Sequence, residues 1–421
     1  MQAREQVRRQ QGERLAAMIA EVGARNPFYR QRLAAAGVRA DAIPHAEDLA
    51  RLPFLTKGDL VRDQLANPPY GTYLTYPLER YVRLHQTSGT TGRPLCWLDT
   101  DLDWAWWGRC WAAVYAGAGV TSADRIFFAF SFGPFIGFWS AMEGARTVGA
   151  LAIPGGGMDS AARLRAILEQ RATVLCCTPT YALHLAEVAE REGIQIREGA
   201  VRVTIHAGEP GASIPATRRR IEGAWGARCC DHYGMTELGP AGTPCPVRRD
   251  GVHLNEAEFI PEVIHPETGA TLPPGHRGEL VMTNLGRWGS PVIRYRTGDL
   301  VDPEAGPCPC GSPFRFLRGG VVGRADDMVT VRGVNVFPSA IEAIVRELPE
   351  VVEFQVEVTK RREMEELGIR IEVEGNGAAV AAKLSDLVRH RLGLRPAVEA
   401  APAGSLPRFE LKARRFHVRR S

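Results

Sequence analysis

The sequence predicts an α/β protein with a large N-terminal domain, built on a mostly parallel sheet and an antiparallel section, and a small C-terminal α+β domain. Between residues 125 and 223, short apolar runs alternate with helical segments, the pattern of buried parallel strands connected by helices. Past Gly251 the apolar runs are joined by Pro/Gly turns, which indicates antiparallel pairing. Residues 326–421 have the length and pattern of a separate unit, so we divide the chain into 1–325 and 326–421.

The N-terminal elements follow from local patterns. Apolar residues at helical spacing predict an amphipathic helix over Gln2–Val22, and Asn26-Pro27 ends it. Residues 30–52 predict a second short helical segment. A β-prone run at 81–85 leads into a glycine-rich loop and a return strand. Residues 101–118 predict a helix whose four tryptophans pack in the core.

The parallel sheet is predicted from four apolar runs separated by helical segments. The predicted strands are 126–130, 151–154, 174–177 and 201–206, and the predicted helices are 160–170, 181–192 and 214–223. Ligands of such sheets bind beyond the carboxyl ends of the strands. The loops 131–137 and 207–210 each follow a strand, so we expect them to line a binding site.

Shorter apolar runs predict the rest of the fold. The predicted strands are 257–265, 278–283 and 292–295 in the antiparallel section and 329–333, 351–358 and 369–373 in the C-terminal domain, whose helices are 338–347 and 378–392.

The bulk composition of the 421-residue chain excludes several classes of protein. Apolar residues make up 45% and charged residues 24%, and a net charge of +4 is too small to indicate a nucleic-acid partner. The first 30 residues lack an apolar core segment, and no later run reaches bilayer-spanning length without charges. We expect a cytoplasmic protein with no membrane partner, whose nine cysteines are buried, reactive or metal-bound thiols.

The stretch Thr87-Ser88-Gly89-Thr90-Thr91-Gly92-Arg93-Pro94 predicts a phosphate-binding loop. Glycines let backbone N–H groups turn toward an anion, and the Ser and Thr hydroxyls add donors. Arg93 adds fixed positive charge, which strengthens bonds to phosphate. The stretch is not a P-loop, since it lacks the Gly-Lys-Ser/Thr ending. Taken alone, the same composition fits an ordinary polar surface turn equally well.

Four further short motifs follow this loop along the chain. They are Asp231-His232-Tyr233-Gly234-Met235-Thr236-Glu237, Tyr295-Arg296-Thr297-Gly298-Asp299-Leu300, Gly323-Arg324-Ala325-Asp326-Asp327 and Pro407-Arg408-Phe409-Glu410-Leu411-Lys412. A supporting stretch runs from Arg332-Gly333 to Pro338. In this order and at these separations, the motifs resemble those of the adenylate-forming superfamily, and most closely those of phenylacetate–coenzyme A ligases.

The resemblance implies a two-step reaction. A carboxylate attacks the α-phosphate of ATP, giving an acyl-adenylate and pyrophosphate, and the thiol of coenzyme A then displaces AMP. The implied cofactors are ATP, Mg²⁺ and coenzyme A, and the implied partner is a small carboxylic acid, bound by a monomer or homodimer. The alternatives are an enzyme that loads a carrier protein or an amine, and a catalytically silent nucleotide-binding protein.

The resemblance also assigns roles to single residues. Phosphoryl transfer needs mainly positioning and charge neutralisation, so the loop residues 88–93 would hold the β- and γ-phosphates. Glu237 would ligate Mg²⁺, which prefers oxygen ligands, with Thr236 beside it. Asp299 would accept hydrogen bonds from the ribose, and Tyr233 would face the adenine. The other implied nucleotide-binding residues are Gly208, Glu209, Pro210, Asp231, His232, Gly234, Met235 and Arg324.

The C-terminal domain contributes the second catalytic group. Lys412 would bridge the carboxylate and the α-phosphate, because an ammonium between two anions reduces their repulsion. The residue before it is Leu411, where the family usually has glycine. Asp326 would be the hinge on which the small domain rotates, and Arg332 and Gly333 would lie beside coenzyme A.

The acyl pocket is predicted from the position of aromatic and small residues after the strands. The expected lining residues are Phe132, Phe135, Ile136, Ala207, Gly208 and Met235. Aromatic walls with few polar groups suit an aryl or arylacetic acid. His232 is expected either to contact the carboxylate or to pack beside it.

A separate signal comes from Cys245, His253, Cys308 and Cys310. Three thiolates and one imidazole make a closed tetrahedral set, which predicts structural rather than catalytic Zn²⁺. The Cys-Pro-Cys-Gly turn is shorter than the usual C-x₂-C spacing, and unligated loop thiols are the alternative.

Overall fold

The computed structural model describes residues 2–43, 45–87, 94–325, 327, 329–331, 334–361, 364–409 and 415–419. Its helices are α1 Gln2–Arg25, α2 Pro27–Ala35, α3 Lys57–Ala66, α4 Asp101–Gly117, α5 Trp139–Val148, α6 Ser160–Glu169, α7 Pro179–Arg191, α8 Pro215–Trp225, α9 Pro338–Val345 and α10 Gly377–Leu392. None of the helices in these described ranges combines the length and the apolar character that a bilayer crossing requires.

A two-stranded hairpin carries the predicted phosphate loop. Strand β1 Tyr81–Gln86 pairs antiparallel with β2 Cys96–Thr100. At the loop end, the Thr87 N–H donates to the Leu95 carbonyl, and the Leu95 N–H donates to the Thr87 hydroxyl, both at 3.0 Å. The residues on either side of the loop are therefore held together.

The parallel sheet has five strands, all with the same direction. They are β3 Arg125–Phe128, β4 Leu151–Pro154, β5 Val174–Cys177, β6 Val203–His206 and β7 Arg228–Asp231, in the order β4-β3-β5-β6-β7. The central strands β5 and β6 are buried throughout and β3 is buried from Ile126 onward, as apolar runs in a sheet covered on both faces must be. Strand β7 was not predicted, because Arg228-Cys229-Cys230-Asp231 has charged ends.

The antiparallel section contains a small hairpin and a larger sheet. Strands β8 Gly234–Met235 and β9 Gly239–Pro240 form the hairpin. The six-stranded sheet, in the order β10-β11-β15-β14-β13-β12, comprises β10 Gly242–Pro244, β11 Gly251–Leu254, β12 Phe259–Ile264, β13 Gly278–Asn284, β14 Tyr295–Pro303 and β15 Phe316–Arg324.

The C-terminal region has a core of its own. Strands β16 Val329–Val331 and β17 Val334–Val336 form a hairpin, and β18 Val351–Arg361, β19 Met364–Val373, β20 Ala397–Ala401 and β21 Phe416–Arg419 form a four-stranded sheet. Apolar residues of β18 and β19 pack with those of α9 and α10 in one cluster. The predicted α/β class, with a parallel sheet, an antiparallel section and a C-terminal α+β unit, is confirmed.

Two predicted elements were wrong. The strand placed at 292–295 begins only at Tyr295, because Arg294 adopts φ 51° and breaks the extended run. Its guanidinium is fixed by Glu262 at 2.7 and 3.0 Å, which holds that conformation. The helical segment at 30–52 ends at Ala35, and short 3₁₀ turns at 40–42 and 46–51 follow it.

Candidate active site

Four parallel strands have their carboxyl ends at the same edge of the sheet. Strands β3, β5, β6 and β7 end at Phe128, Cys177, His206 and Asp231. The Phe-rich loop 129–137, the first turn of α7, the 207–210 turn and the motif that begins at Asp231 therefore start from this edge. This edge is where ligands of α/β sheets bind.

The Phe-rich loop is strained. Phe132 has φ 39°, a left-handed conformation that costs energy for an aromatic residue. Its ring packs edge-to-face on Trp139 at 4.9 Å and on Phe130 at 5.7 Å. Ile136 is buried in the core, and Phe135 is half-buried. The Gln86 N–H donates to the Pro134 carbonyl at 2.8 Å, so the loop lies against the strand that enters the phosphate loop.

His232 is buried beside Trp111, with 4.3 Å between the ring centroids. Burial lowers the pKa of His232 to about 4, so the ring is neutral at physiological pH. Nδ1 lies 2.7 Å from the Gly242 carbonyl, which can only accept, so Nδ1 carries the proton. Nε2 is then an acceptor. An acceptor does not bind a carboxylate oxygen, which favours the packing alternative for His232.

Asp299 on β14 joins two of the predicted nucleotide-binding residues. The Tyr233 hydroxyl donates to Oδ2 at 2.8 Å, and the Arg324 guanidinium donates to Oδ1 at 2.9 Å. Asp299 and Arg324 face each other across the β14–β15 ladder. These two hydrogen bonds fix the orientation of the buried Asp299 carboxylate, whose oxygens are acceptors when it is ionised.

Glu237 lies in the turn between β8 and β9 and is buried. Burial raises the pKa of its carboxyl, and the cationic side chains of Lys57, Arg324 and Arg287 oppose that shift. Arg324 therefore acts on both Glu237 and Asp299. The predicted magnesium ligand and the predicted ribose acceptor lie in one neighbourhood, as a shared nucleotide site requires.

A buried ion pair fixes this turn to the phosphate-loop hairpin. Arg287 donates to the Asp99 carboxylate of β2 through Nε at 2.6 Å and through Nη2 at 2.9 Å, and both side chains are fully buried. Its guanidinium lies 5.0 Å from the ring centre of Trp97 and 5.1 Å from that of Trp107. Arg287 also donates to the Thr236 carbonyl at 2.8 Å. The strand that returns from residues 88–93 thus holds the Thr236–Glu237 turn.

The 207–210 turn is attached to α7. The Thr180 N–H, in the first turn of that helix, donates to the Glu209 carboxylate at 2.8 Å. Gly208 has φ 95°, which glycine adopts without strain, and Pro210 follows. Ala207 is half-buried. The negative carboxylate at the amino end of α7 is stabilised by the helix dipole.

Asp231 is a half-buried residue at the end of β7. The Ser213 hydroxyl donates to it, and burial raises the pKa of Asp231 to about 6. Gly320 approaches it so closely that a Cβ there would lie 3.1 Å from Oδ2. Gly234 and Met235 form the short strand β8, where Met235 lies 3.5 Å from the Tyr233 hydroxyl.

Ten predicted site residues lie outside the described ranges. They are Ser88, Gly89, Thr90, Thr91, Gly92, Arg93, Asp326, Arg332, Gly333 and Lys412. Their assigned roles stay predictions, as do the roles given to the described residues and the domain division at 325 and 326.

The four predicted zinc ligands come together in the structure. Cys245 follows β10, His253 lies on β11, and Cys308 and Cys310 precede β15, so three adjacent strands bring them to one place. All four ligand atoms lie within 4.8 Å of one another. Cys245 Sγ and Cys308 Sγ are 3.8 Å apart, and Cys310 Sγ lies 3.2 Å from His253 Nε2.

The cluster fits a tetrahedral zinc ion. With Zn–S bonds of about 2.3 Å, the sulfur–sulfur edge of a tetrahedron is about 3.8 Å. His253 Nδ1 lies 3.1 Å from the Phe314 carbonyl, which places its proton there and leaves Nε2 free to bind metal. The Arg248 N–H donates to Cys245 Sγ at 3.2 Å, which stabilises a thiolate.

The sequence did not predict the contacts of three side chains near the site, Asp99, Arg287 and Trp111. Asp99 and Arg287 belong to no motif and lie 188 residues apart, so their pairing has no local signal. Trp111 was placed in the core, where it is, but it also lines the space beside His232.

Comparison with known proteins gives the same architecture. The model of the AMP-binding enzyme family matches residues 9–286, and that of the AMP-binding enzyme C-terminal domain matches residues 333–420. Phenylacetate-coenzyme A ligase of Pseudomonas putida is 34% identical over 97% of this chain and 93% of its own length.

One structural relative has been solved in several states. The crystal structure of 2-hydroxyisobutyryl-CoA ligase in the postadenylation state, with 2-HIB-AMP bound, superposes with a TM-score of 0.92 at 32% identity, covering 97% of this chain and 89% of that one. The same ligase in the thioesterification state, with 2-HIB-AMP and CoA, gives a TM-score of 0.73 at 33% identity, covering 97% and 88%. The chain therefore belongs to the AMP-binding enzyme family, as an ATP-dependent ligase that converts a carboxylic acid to its acyl-adenylate and transfers the acyl group to coenzyme A.

Proposed function

We propose that the acid activated by this ligase is an aryl or arylacetic acid. The observation that carries the proposal is the aromatic cluster at the sheet edge, in which Phe132 packs on Trp139 and Phe130. Phe138 packs on Phe130 at 5.4 Å and on Trp111 at 6.0 Å, which extends the cluster toward His232. Such walls bind a planar apolar ring and offer few hydrogen bonds to ring substituents.

A short hydroxy acid is the second candidate. The structural relative with a TM-score of 0.92 is a 2-hydroxyisobutyryl-CoA ligase. His232 Nε2, as an acceptor, suits the hydroxyl of such an acid, because that hydroxyl can donate. The half-buried aromatic rings of Phe132 and Phe135 favour the larger acid, because a short acid would leave their surfaces uncovered.

A panel of acids separates the two candidates. We expect phenylacetate or a related aryl acid to give a kcat/KM for pyrophosphate release about 10- to 100-fold above that of 2-hydroxyisobutyrate, since burying a ring-sized apolar group contributes about 1.5–3 kcal/mol. Reactions without CoA should form acyl-adenylate, and reactions with CoA should form the thioester, identified by mass spectrometry. A higher kcat/KM for the hydroxy acid would overturn the aryl assignment.

The nucleotide contacts belong to the same proposal. Residues 88–93 hold the β- and γ-phosphates, Asp299 accepts from the ribose hydroxyls, and Tyr233 lies at the adenine. The remaining adenine contacts come from the 207–210 turn and from Asp231. The support for this arrangement is the Asp99–Arg287 pair, which holds the phosphate-loop hairpin to the Thr236–Glu237 turn.

Glu237 is proposed as the magnesium ligand, with Thr236 beside it. Bound Mg²⁺ would neutralise charge on the phosphates during attack by the carboxylate. A cation at this carboxylate also favours its ionised form, against the effect of burial.

Lys412 is proposed to lie between the acid's carboxylate and the α-phosphate, with Asp326 as the hinge for the domain rotation. Arg332 and Gly333 are proposed to lie beside CoA in the second half-reaction.

Structural zinc is proposed for the cluster formed by Cys245, His253, Cys308 and Cys310. Zinc bound there would cross-link the loops of three strands, β10, β11 and β15, without taking part in the chemistry.

Removing a zinc ligand should therefore affect stability rather than the chemical step. We expect purified protein to contain about one zinc per chain by elemental analysis, and Cys308→Ser to lose it, with a fall in Tm of about 5–10 °C. Cys96→Ser is the matched control, because Cys96 lies on β2 outside the cluster, and it should keep the metal. Wild-type protein that purifies without metal and has an unchanged Tm after chelator treatment would contradict the proposal.

A further inference from the structure

Two arginines flank the segment 410–414, which carries Lys412. Arg415 forms a bidentate ion pair with Glu353 of β18, at 2.6 and 3.0 Å, and both side chains are buried. This pair fixes Arg415 within the C-terminal unit. Its third nitrogen, Nη1, lies 3.4 Å from Glu342 and donates across to the Thr180 hydroxyl of α7 at 3.2 Å.

Arg408 on the other side of the segment is bound in a similar way. Its Nη2 donates to the buried Glu372 of β19 at 2.8 Å, which holds it in the C-terminal unit. Its Nε lies 3.4 Å from the Glu187 carboxylate of α7. Each arginine thus has at least one partner in its own unit and one on the same helix of the large domain.

The two groups on α7 share one face of the helix. Thr180 and Glu187 are seven residues apart, about two turns, so their side chains point the same way and lie roughly 10 Å apart along the axis. Along the chain, Lys412 stands four residues after Arg408 and three before Arg415. Both arginines that flank its segment therefore contact this face. The contact continues into the 207–210 turn, because the Thr180 N–H binds Glu209.

These contacts belong to one of the arrangements in which a relative has been solved. The whole chain superposes on the postadenylation structure with a TM-score of 0.92 and on the thioesterification structure of the same protein with 0.73. The C-terminal unit is therefore placed here as in the postadenylation state. That structure holds an acyl-adenylate, the product of the first half-reaction.

We propose that Thr180 and Glu187 are positioning residues for the first half-reaction. They hold the flanks of the Lys412 segment against α7 while the acyl-adenylate forms, and they make no contact that the transfer to CoA needs. The inference rests on the role proposed above for Lys412. It adds that the placement of this lysine depends on the face of α7 that carries Thr180 and Glu187.

The test measures the two half-reactions separately. Acid-dependent exchange of pyrophosphate into ATP reports adenylation, and thioester formation from purified acyl-adenylate and CoA reports transfer. For Thr180→Val and for Glu187→Gln, we expect the kcat of adenylation to fall about five- to tenfold, the size expected for the loss of one typical hydrogen bond. The KM for ATP and the rate of transfer should stay at wild-type values.

Three comparisons make the result specific. Thr180→Ser keeps the hydroxyl and should restore adenylation. Glu190→Gln makes the same chemical change on an exposed position of α7 and should behave as wild type. Glu187 is partly exposed, so its variant carries the test if Thr180→Val does not fold.

Adenylation at the wild-type rate in both α7 variants, or an equal fall in both half-reactions, would overturn the inference. Either result would leave the proposed function standing, provided that Lys412→Ala has lost adenylation. If Lys412→Ala keeps adenylation, the lysine assignment itself fails, and the inference fails with it.

Discussion

Replacing Lys412 with alanine should lower the rate of acid-dependent adenylation by about 10²- to 10³-fold, the loss seen when a group that stabilises transition-state charge is removed. The attacking carboxylate and the α-phosphate are both anionic, and an ammonium in the position proposed for Lys412 reduces their repulsion only while they approach. Transfer from preformed acyl-adenylate to CoA has no such pair of anions, so its rate should not change. Pyrophosphate exchange and a single-turnover thioester assay measure the two steps.

Lys383→Ala is the matched control for this experiment. Lys383 lies on α10 of the same C-terminal unit, exposed and 3.7 Å from Glu350, so its loss removes an equal charge from the surface. Its adenylation rate should equal that of the wild type. Adenylation that survives in Lys412→Ala would show that another cation supplies the charge.

Replacing Arg287 with methionine should destabilise the protein by about 3–5 kcal/mol, because Asp99 is left as an uncompensated buried charge. The midpoint of urea denaturation should fall accordingly. The double variant with Asp99→Leu removes both charges and should recover most of the loss. Folded Arg287→Met should also adenylate more slowly, since the Thr236–Glu237 turn loses two hydrogen bonds to the guanidinium.

The control is an ion pair of the same chemistry at the surface. Arg318 pairs with Asp302 at 2.7 Å, but its side chain is 59% exposed. Arg318→Met should therefore change the free energy of unfolding by less than about 1 kcal/mol. Equal effects at the two sites, or a double variant less stable than Arg287→Met, would contradict the role given to the buried pair.

The elements that the sequence predicted well are those with local causes. Uninterrupted apolar runs such as 174–177 became buried parallel strands, and the loops after β3 and β6 lie at the sheet edge where ligands were expected. The family, the α/β class, and the ATP- and CoA-dependent acid activation were also predicted and are confirmed. They depend on short motifs, and a motif keeps its chemistry wherever the fold places it.

The elements that it missed depend on distant partners. The strand from Tyr295 begins late because Arg294 is held in a left-handed conformation by Glu262, 32 residues away. The sequence of strand β15 contains two adjacent glycines, Gly319 and Gly320, and such a pair is typical of a loop. Pairing with β14 and β11 makes it a strand, since ladder hydrogen bonds outweigh a weak local preference.

By itself, the sequence determined which groups are available: a stretch rich in glycines and hydroxyl groups, the carboxylates Glu237 and Asp299, three cysteines and a histidine, and a lysine between two arginines. Only the tertiary structure decided which of them meet. It set Asp299 between Tyr233 and Arg324, closed the cysteine cluster to tetrahedral distances, and laid the flanks of the Lys412 segment on α7. The physical reason is the separation of the partners along the chain. Residue type and spacing fix local conformation and chemistry. Contacts between residues tens to hundreds of positions apart form only when burial of the whole core brings them together.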